Sequence, residues 1–379
     1  MTVLPLTLDV SAVPPRPGGA GYYTMALAGT LATHSDVELT LVARHGDEQR
    51  WSALAAGSAV RAAVPASRPG RLAFEQIGLS SVLRRLTAHV HHGPHYTMPA
   101  RAPVPCVVTI HDCTFFDHPE WHLRTKAAFF RRAIRHAARH AASLVCVSQV
   151  TADRLAASCD VRAPVVVAPH GVDHQRFKPE EPSDGADGAL LSSLGVPADR
   201  PLVAFVGTLE PRKGIEPLVA AFDRVAATRP DVVLVLAGQP GWGMADTERA
   251  LAEARHPDRI LRTGYLPDEA VPALLRQAAV SVYPALEEGF GLPALEAMAC
   301  GAPLVTTEGT AMAEFAQGAA VLVPPGDARA LADANDSALE QGRGSDRQRH
   351  GISVAAARTW EASATLHMRA YEVARAASQ

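Results

Sequence analysis

Short runs of apolar and β-branched residues alternate along the chain with longer stretches in which apolar positions recur every three or four residues. The short runs predict buried strands, and the longer stretches predict amphipathic helices. Predicted strands cover residues 4–10, 37–43, 104–110, 144–147, 165–168, 201–208, 232–237, 260–264, 279–283 and 302–306. Because strands alternate with helices, the sequence predicts an α/β fold with mostly parallel sheets and helices on both sheet faces.

The stretch 283–301 carries the clearest local signal. A buried strand ends at Pro284, a loop with Gly289 and Gly291 follows, and a helix is predicted over 292–299. This order of strand, glycine loop and helix presents backbone N–H groups at the positive end of a helix dipole. Such an arrangement is a general way to hold a phosphate or a diphosphate.

Two carboxylates frame this loop, Glu288 before it and Glu296 after it, with seven residues between them. Their charge would repel a diphosphate, so we assign them to hydroxyl groups on either side of it, since an ionised carboxylate only accepts hydrogen bonds. The alternative is that both are solvated surface residues. Spacing alone does not separate the two interpretations.

Three further segments, each of which follows a predicted strand, could contribute to a site. Arg212 and Lys213 follow the strand at 201–208 and suit a diphosphate, although a solvated basic turn is the commoner fate of such a pair. His111 follows the strand at 104–110 and could orient a sugar hydroxyl, or it could be a loop histidine capped by its neighbour. The glycine-rich turn before a helix at 22–32 lacks a complete dinucleotide fingerprint.

A strongly basic helix is predicted over 124–140, with an apolar stripe at helical spacing. We expect it to pack on the sheet with its charged face in water. The alternative is a docking face for anionic lipid headgroups, made by Arg131, Arg132 and Arg135. Other arginines could belong to the same acceptor-side surface, namely Arg68, Arg71, Arg84 and Arg85.

The acidic, Pro- and Gly-rich segment 178–188 reads as an exposed linker. We therefore predict a first domain over 1–177, a linker over 178–200 and a second domain over 201–359. A closing helix starts at Trp360, and the segment 360–379 is expected to complete the first domain.

Composition agrees with two ordinary domains, since 379 residues with 47% hydrophobic content can fill two cores. No apolar run has the length of a membrane span, so we expect a cytoplasmic protein. The five cysteines lack metal-site spacing and are expected to be buried free thiols. Residues 1–177 carry a net charge of +6 and residues 178–379 carry −9, and the basic first half favours an anionic acceptor or a membrane surface.

The string EGFGLPALEAMACGAPLV, which begins at Glu288, closely resembles the signature of the family 4 retaining glycosyltransferases. The string VGTLEPRKGIEPLVAAF, which contains Arg212 and Lys213, resembles the phosphate-binding element of that family. The resemblance implies a GT-B fold, in which two Rossmann-like domains with parallel sheets face a central cleft. It also implies that the C-terminal helix crosses back to the first domain.

The resemblance assigns roles to particular residues. The nucleotide-diphosphate sugar would contact the positions Gly18, Gly19, Arg212, Lys213, Gly264, Tyr265, Phe290, Gly291, Leu292 and Glu296. Within this set, Arg212, Lys213 and the amides near Gly291 would hold the diphosphate, and Glu296 the ribose. Gly264 and Tyr265 would border the nucleobase. Glu288 would hold sugar hydroxyls.

The "HD" pair at His111, with Pro119-Glu120 shortly after it, looks like the sugar-facing position of bacterial mannosyl- and deoxyhexosyl-transferases in this family. The expected catalytic set is then His111, Glu288, Arg212 and Lys213. We expect retention at the anomeric carbon, no covalent nucleophile, no metal and no other cofactor.

The expected donor is GDP-mannose, with UDP-glucose or UDP-N-acetylglucosamine as the alternative. The acceptor would be a glycan, a lipid-linked saccharide or a small molecule, and no nucleic-acid partner is expected. Two other classes stay open at this point: a nucleotide-sugar epimerase with the same fold, and a non-catalytic binding protein.

Overall fold

The computed structural model, which describes residues 3–179 and 185–377, contains two β-sheets whose recorded strand pairs are all parallel. Each sheet belongs to its own structural unit. Within the described residues, the first unit consists of 3–171 and 360–377, and the second consists of 172–359.

The first unit alternates strands and helices as the apolar pattern predicts. Its strands are β1 Leu4–Asp9, β2 Val37–Arg44, β3 Ala59–Val64, β4 Val90–Gly93, β5 Cys106–Ile110, β6 Ser143–Cys146 and β7 Val165–Val167. Its helices before the second unit are α1 Gly19–Ala32, α2 Glu48–Leu54, α3 Arg68–Ile77, α4 Leu79–Arg85, α5 Thr114–Asp117, α6 Arg124–His140 and α7 Gln149–Ser158. The closing helix Trp360–Ala376 also belongs to this unit.

The second unit repeats the same alternation. Its strands are β8 Leu202–Val206, β9 Val233–Ala237, β10 Ile260–Gly264, β11 Val280–Tyr283, β12 Leu304–Thr307 and β13 Val321–Val323. Its helices are α8 Ala186–Ser193, α9 Ile215–Thr228, α10 Met244–Ala252, α11 Ala270–Gln277, α12 Leu292–Ala299, α13 Ala313–Ala316, α14 Ala328–Gln341 and α15 Asp346–Ala356. The closing helix Trp360–Ala376 is therefore α16.

Both sheets have the Rossmann order. The first runs β3-β2-β1-β4-β5-β6-β7, and the second runs β10-β9-β8-β11-β12-β13. In each, the chain moves outward from the first strand and then returns to its other side, so the strand order reverses between β1 and β4 and between β8 and β11. Ligands of such sheets bind at the carboxyl ends of the strands that flank this switch point.

The core of the first unit explains why α16 returns to it. Tyr371, Ala370 and Ala374 of α16 are fully buried in the same apolar cluster as Leu27 and Leu31 of α1. Burying such a helix face removes apolar surface from water at about 25 cal/mol per Å². The predicted return of the C-terminal helix to the first domain is confirmed.

A chain of hydrogen bonds also crosses this buried region and joins α16 to the sheet. His92 lies 2.9 Å from the Tyr371 hydroxyl through Nδ1 and 2.8 Å from Thr109 Oγ1 through Nε2. The Tyr23 hydroxyl lies 2.8 Å from both Thr109 Oγ1 and His367 Nε2. All five side chains are fully buried, so each of these bonds replaces one that water would otherwise make.

The donor and the acceptor of each hydrogen bond in this chain can be assigned from the contacts of His367, which lies at one end of it. His367 Nδ1 lies 2.8 Å from the Ser363 carbonyl, which only accepts, so Nδ1 carries the proton and Nε2 accepts from Tyr23. Thr109 then donates to Tyr23 and accepts from His92 Nε2, which leaves His92 Nδ1 to accept the phenolic proton at the far end. Both histidines are neutral in this arrangement.

The boundary between the two units lies earlier in the chain than the predicted one. The division between the units falls after Gly171 rather than after residue 177, and the predicted linker 178–200 includes helix α8. Leu191 of α8 is fully buried in the core of the second unit beside α11. Residues 180–184 of that linker lie outside the described part of the chain.

The cysteines are free, and four of the five are buried, whereas Cys159 is half-buried. Burial raises the pKa of Cys106, Cys146 and Cys300 to about 12. Across the described residues, no helix is both long enough and apolar enough to cross a membrane. Within the same residues, no group of three or more His, Cys, Asp or Glu side chains is placed to hold a metal ion.

Candidate functional site

The loops that follow β8 and β11 lie against each other at the switch point of the second sheet. The Leu286 amide donates to the Arg212 carbonyl at 2.8 Å. Gly214 has φ of 68°, and a Cβ at this position would lie 2.1 Å from the Pro284 carbonyl oxygen. Only glycine therefore permits this close packing, which brings residues some 75 positions apart into contact.

Arg212, Lys213 and Glu288 form an ion-pair cluster between these two loops. Lys213 Nζ donates to Glu288 Oε2 and, at 2.5 Å, to the Tyr283 hydroxyl. Arg212 Nη1 donates to the same Glu288 oxygen at 2.9 Å, while its Nε lies 2.6 Å from Glu210 Oε1. The structure thus brings together three of the four residues that were predicted to be catalytic.

This cluster is poorly accessible to water. Lys213 is 5% exposed and Glu210 is 7% exposed. Burial lowers the pKa of Lys213, the charge of Arg212 lowers it further, and the carboxylates of Glu288 and Glu210 oppose both effects. Burial raises the pKa of Tyr283 well above its ordinary value, so its phenol stays protonated. Two cations in such surroundings bind an anionic oxygen more strongly than they would in water.

Helix α12 has the predicted bounds and begins beside this cluster. Its N-cap Gly291 has φ of 92°, and a Cβ there would lie 2.4 Å from Met312 Cγ. The Phe290 ring is buried against Phe315, with centroids 5.2 Å apart, and fixes the loop. Pro293 has no N–H, and the Ala294 N–H donates to the Gly291 carbonyl at 3.0 Å. The Leu292 N–H and the positive end of the helix dipole are therefore what favour an anion there.

Glu296 lies one turn into α12 and is half-buried. Burial raises its pKa to about 7, with Arg176 opposing the rise and Asp173 adding to it. The negative charge of Glu296 in turn contributes to the raised pKa of Tyr283, so it acts on the cluster. Near neutral pH this carboxyl group can both donate and accept a hydrogen bond.

The predicted nucleobase positions lie farther along the sheet. Gly264 ends β10, which is separated from β8 by β9, a distance of about 10 Å across the sheet. Its φ is 67° and no atom would lie within 4 Å of a Cβ there. Tyr265 is 47% exposed, and its hydroxyl lies 3.3 Å from Asp268. The structure therefore leaves open surface at this end of β10.

In the first unit, His111 follows β5 at the carboxyl edge of the sheet and is 9% exposed. Its Nε2 donates to the Pro94 carbonyl at 2.7 Å, which leaves Nδ1 as the acceptor of the neutral ring. Burial lowers its pKa. Asp112, the next residue, accepts from the Thr114 hydroxyl at 2.7 Å.

Gly18 and Gly19 are exposed at the start of α1, on the side of the sheet where β1 ends. Gly18 is the N-cap, with extended backbone, and no atom would lie within 4 Å of a Cβ at either glycine. The fold itself therefore does not require glycine at these two positions.

The basic helix α6 has the predicted bounds, and its buried stripe includes Ile134. Arg131 is not part of a free basic face, because its Nε donates to the Phe115 carbonyl at 2.5 Å. Arg132 and Arg135 are exposed, the latter over the Phe116 ring at 5.1 Å. Of the three arginines in the predicted lipid-docking face, only Arg132 and Arg135 therefore lie on the exposed face of α6.

Sequence reasoning missed Tyr283 and Glu210 as members of the cluster. In the sequence, Tyr283 is the last residue of a predicted strand, and Glu210 lies in the turn just before Arg212. One signal was available: each residue lies at the carboxyl end of a predicted strand, on the same loop as an assigned residue. The two predicted strands had to be known as neighbours before that signal could be used.

Comparison with known families gives one match for each unit. The profile described as Glycosyl transferases group 1 matches residues 189–356. The profile described as Glycosyltransferase Family 4 matches residues 17–176. Neither profile alone spans half of the chain, but the two matches together cover most of it.

Two relatives are similar in sequence. The chain is 28% identical over 297 residues to the O-antigen chain mannosyltransferase B of Escherichia coli, covering 77% of this chain and 76% of that protein. It is 34% identical over 232 residues to a 2-deoxystreptamine N-acetyl-D-glucosaminyltransferase of Streptomyces fradiae, covering 59% of this chain and 52% of that protein.

Solved structures show the same fold. A sucrose-phosphate synthase of Thermosynechococcus elongatus has a TM-score of 0.76 at 21% identity, covering 99% of this chain and 100% of that one. The Anabaena protein HepE, solved in complex with UDP, has a TM-score of 0.74 at 21% identity and covers both chains fully. These structures show the GT-B fold. The two family matches, which together cover most of the chain, show that it belongs to the family 4, group 1 glycosyltransferases.

Proposed function

We propose that this glycosyltransferase moves a hexosyl group from a nucleotide-diphosphate sugar to a hydroxyl-bearing acceptor, and that the group is mannosyl from GDP-mannose. The observation that carries the proposal is the buried cluster of Arg212, Lys213 and Glu288 beside the first turn of α12. Similarity to the mannosyltransferase of E. coli supports mannose as the sugar.

A UDP-sugar is the second candidate donor. It is supported by the binding of UDP to the Anabaena neighbour and by similarity to the N-acetyl-D-glucosaminyltransferase of S. fradiae. The open surface at Gly264 and Tyr265 would receive the base of either nucleotide.

The diphosphate that leaves during transfer carries the charge that the enzyme must stabilise. Arg212, Lys213 and the amides around Gly291 are fixed donors in a water-poor position, and such preorganised charge lowers the barrier to departure. They can do the work that a metal ion does in other transferases. On this basis we propose metal-independent transfer.

The carboxylates and His111 would orient the substrates. Glu288 would accept from sugar hydroxyls and Glu296 from the ribose. His111 would accept from a hydroxyl through Nδ1, since Nε2 is committed to the Pro94 carbonyl. Resemblance to the family supports retention at the anomeric carbon, with attack on the same face as departure and no covalent enzyme intermediate.

A thermal-shift panel tests the donor and its site. The panel contains GDP-mannose, UDP-glucose, UDP-N-acetylglucosamine and dTDP-sugars, each with and without a chelator. One nucleotide-sugar should raise the melting temperature of the wild type, and Lys213→Ala should abolish the shift. The control is Arg255→Ala, because Arg255 is an exposed cation of the same unit.

The remaining outcomes separate the rivals. A shift that disappears with the chelator would contradict metal independence. Equal shifts for wild type and Lys213→Ala would contradict the placement of the diphosphate. Conversion of the donor to another nucleotide-sugar without any acceptor would indicate an epimerase.

The acceptor side of the proposal includes contact with anionic lipid headgroups through α6. Leu123, just before α6, is 76% exposed, and Phe129 on α6 is 38% exposed. Arg124 and Arg132 are exposed on the same helix. Apolar side chains next to arginines are typical of helices that lie at a membrane surface.

Vesicle sedimentation tests this contact. The variant Arg124→Glu/Arg132→Glu should bind vesicles with anionic lipid at least about thirtyfold more weakly than the wild type, since each of the two basic residues near such a surface contributes about 1 kcal/mol. Arg131 is left unchanged because it supports the fold. Equal binding of both proteins, or binding to neutral vesicles alone, would refute the contact.

A further inference from the structure

Three donors in the second unit point at a single carboxylate oxygen. Lys213 Nζ, Arg212 Nη1 at 2.9 Å and the Tyr283 hydroxyl at 3.5 Å all meet Glu288 Oε2. A carboxylate oxygen resembles a phosphate oxygen in its charge and in the donors that it accepts. The cluster is therefore arranged around the position of one anionic oxygen.

From this geometry we infer that Glu288 occupies the place of a diphosphate oxygen whenever no donor is bound, and that the incoming diphosphate displaces it. The inference rests on the proposed function, because it assigns the diphosphate to Arg212 and Lys213. Glu288 then has two positions, one as the counter-ion of the cations and one beside the sugar hydroxyls.

Burial explains why such a counter-ion is needed. A cation that is 5% exposed, like Lys213, is costly without a nearby negative charge. Glu288 supplies that charge in the absence of substrate. A bound diphosphate supplies that charge instead, so Lys213 has a negatively charged partner both before and after the exchange.

Tyr283 and Glu210 are positioning residues in this exchange. Tyr283 holds Lys213 Nζ at 2.5 Å, and its ring is held by parallel stacking on Phe205, with centroids 5.7 Å apart. Glu210 holds Arg212 Nε at 2.6 Å from the opposite side. Both contacts involve atoms other than the Glu288 oxygen, so the cations keep their places when Glu288 moves away.

Isothermal titration with inorganic diphosphate, with GDP and UDP, and with GDP-mannose and UDP-glucose tests the inference. Inorganic diphosphate lacks base and sugar, so it reports only on the anion position. In Glu288→Gln the internal competitor loses its charge, and inorganic diphosphate should bind about tenfold more tightly than to the wild type. The same variant should lose the preference for a nucleotide-sugar over its nucleotide diphosphate.

Glu288→Asp separates position from charge. Its carboxylate is one methylene shorter and reaches the cations less well, so diphosphate binding should again tighten, by about threefold or more, with the net charge unchanged. This variant also keeps the inference testable if Glu288→Gln does not fold. The control is Glu308→Gln, which neutralises an exposed carboxylate of the same unit and should leave the affinity unchanged.

Tyr283→Phe tests the positioning role. Removing the hydroxyl should weaken diphosphate binding about fivefold and move the alkaline fall in affinity to lower pH, because Lys213 loses a partner that stabilises its charged form. A purely structural role for the ring would leave this pH profile unmoved.

The outcomes distinguish two failures. If the wild type binds inorganic diphosphate, Lys213→Ala does not, and both Glu288 variants bind it no more tightly than the wild type, the displacement of Glu288 is wrong and the proposed function stands. If the wild type binds neither inorganic diphosphate nor any nucleotide diphosphate, the diphosphate site is wrong and both proposals fall.

Discussion

Acid should destabilise the first unit through His367, which lies in the buried hydrogen-bond chain between α16 and the sheet. Its Nδ1 donates to the Ser363 carbonyl and its Nε2 accepts from Tyr23, so an added proton on Nε2 would face a donor. Burial is the main cause that lowers its pKa from 6.5 to about 4. The folded protein therefore resists protonation of this ring.

The sign and size of the effect follow from this shift. Below pH 6.5 the His367 ring binds a proton in the unfolded chain, whereas in the folded chain it does so only near pH 4. The contribution of this group to the free energy of unfolding is therefore complete above pH 6.5 and is lost as the pH falls from 6.5 to about 4. For a single group with this shift, moving from pH 7 to pH 5 costs about 2 kcal/mol. His91, whose pKa is also lowered to about 4 by burial, adds a similar cost.

The wild-type curve alone would not isolate His367. Burial raises the pKa of Glu75 to about 7, with Asp9 adding to the rise, and a carboxyl group with a raised pKa makes the fold more stable as pH falls from 7 toward 4.5. The contributions of Glu75 and His91 cancel, however, in the difference between the wild type and a His367 variant.

The assay is urea unfolding at pH 7 and pH 5, followed by tryptophan fluorescence, since Trp51 and Trp360 belong to the first unit. His367→Gln should be less stable than the wild type at pH 7 but should lose about 2 kcal/mol less on acidification. The exposed His45→Gln should lose as much as the wild type. Equal losses for wild type and His367→Gln would refute the neutral, directed hydrogen-bond chain.

Three further predictions concern the second unit. Lys213→Ala should lower kcat/KM at least about 100-fold in a steady-state transfer assay, because the developing diphosphate charge loses a buried cation; a change below about threefold would contradict this. In urea unfolding, Gly214→Ala should cost at least about 3 kcal/mol because of its clash with a carbonyl, whereas Gly264→Ala, which has a similar φ and open space, should cost about 1 kcal/mol. By the same method, Leu191→Ala should lower the free energy of unfolding by about 2–5 kcal/mol. Leu194→Ala, at a residue that is 37% exposed, should lower it by less than about 1 kcal/mol. Equal losses for the two variants would mean that α8 is not part of the core.

The predicted bounds of α12 agree with the structure because the start of this helix is marked within the local sequence. Gly291 has a positive φ at the N-cap of α12, and Pro293 follows in the first turn. Such residues fix where a helix begins whatever surrounds it. Local chemistry is sufficient for this kind of prediction.

The partner of Glu288 was not predictable in the same way. Along the chain Glu288 stands apart from any cation, and its charge argued against a place in the diphosphate site. The contact with Lys213 arises only because β8 and β11 are neighbours in the sheet. That order reflects packing across the whole unit, which local patterns do not encode.

The predicted linker differs from the structure for a related reason. The acidic, Pro- and Gly-rich composition of 178–188 is typical of an exposed connection, but the apolar pair at Leu190 and Leu191 begins a new core. The average composition of a segment does not reveal that two neighbouring leucines are buried. Burial depends on whether a receptive surface, here α11, is present elsewhere in the fold.

The cluster of Arg212, Lys213 and Glu288 also changes how the uneven charge of the two halves of the chain is interpreted. The segment 178–379 carries −9, yet it contains the two cations proposed to hold the most anionic part of the substrate. A long-range field from that segment would repel a diphosphate. In the proposed site the attraction would therefore come from Arg212 and Lys213 at contact distance, where burial strengthens each bond and salt screens it weakly. In such a site the geometry of two loops matters more than the net charge of the unit that carries them.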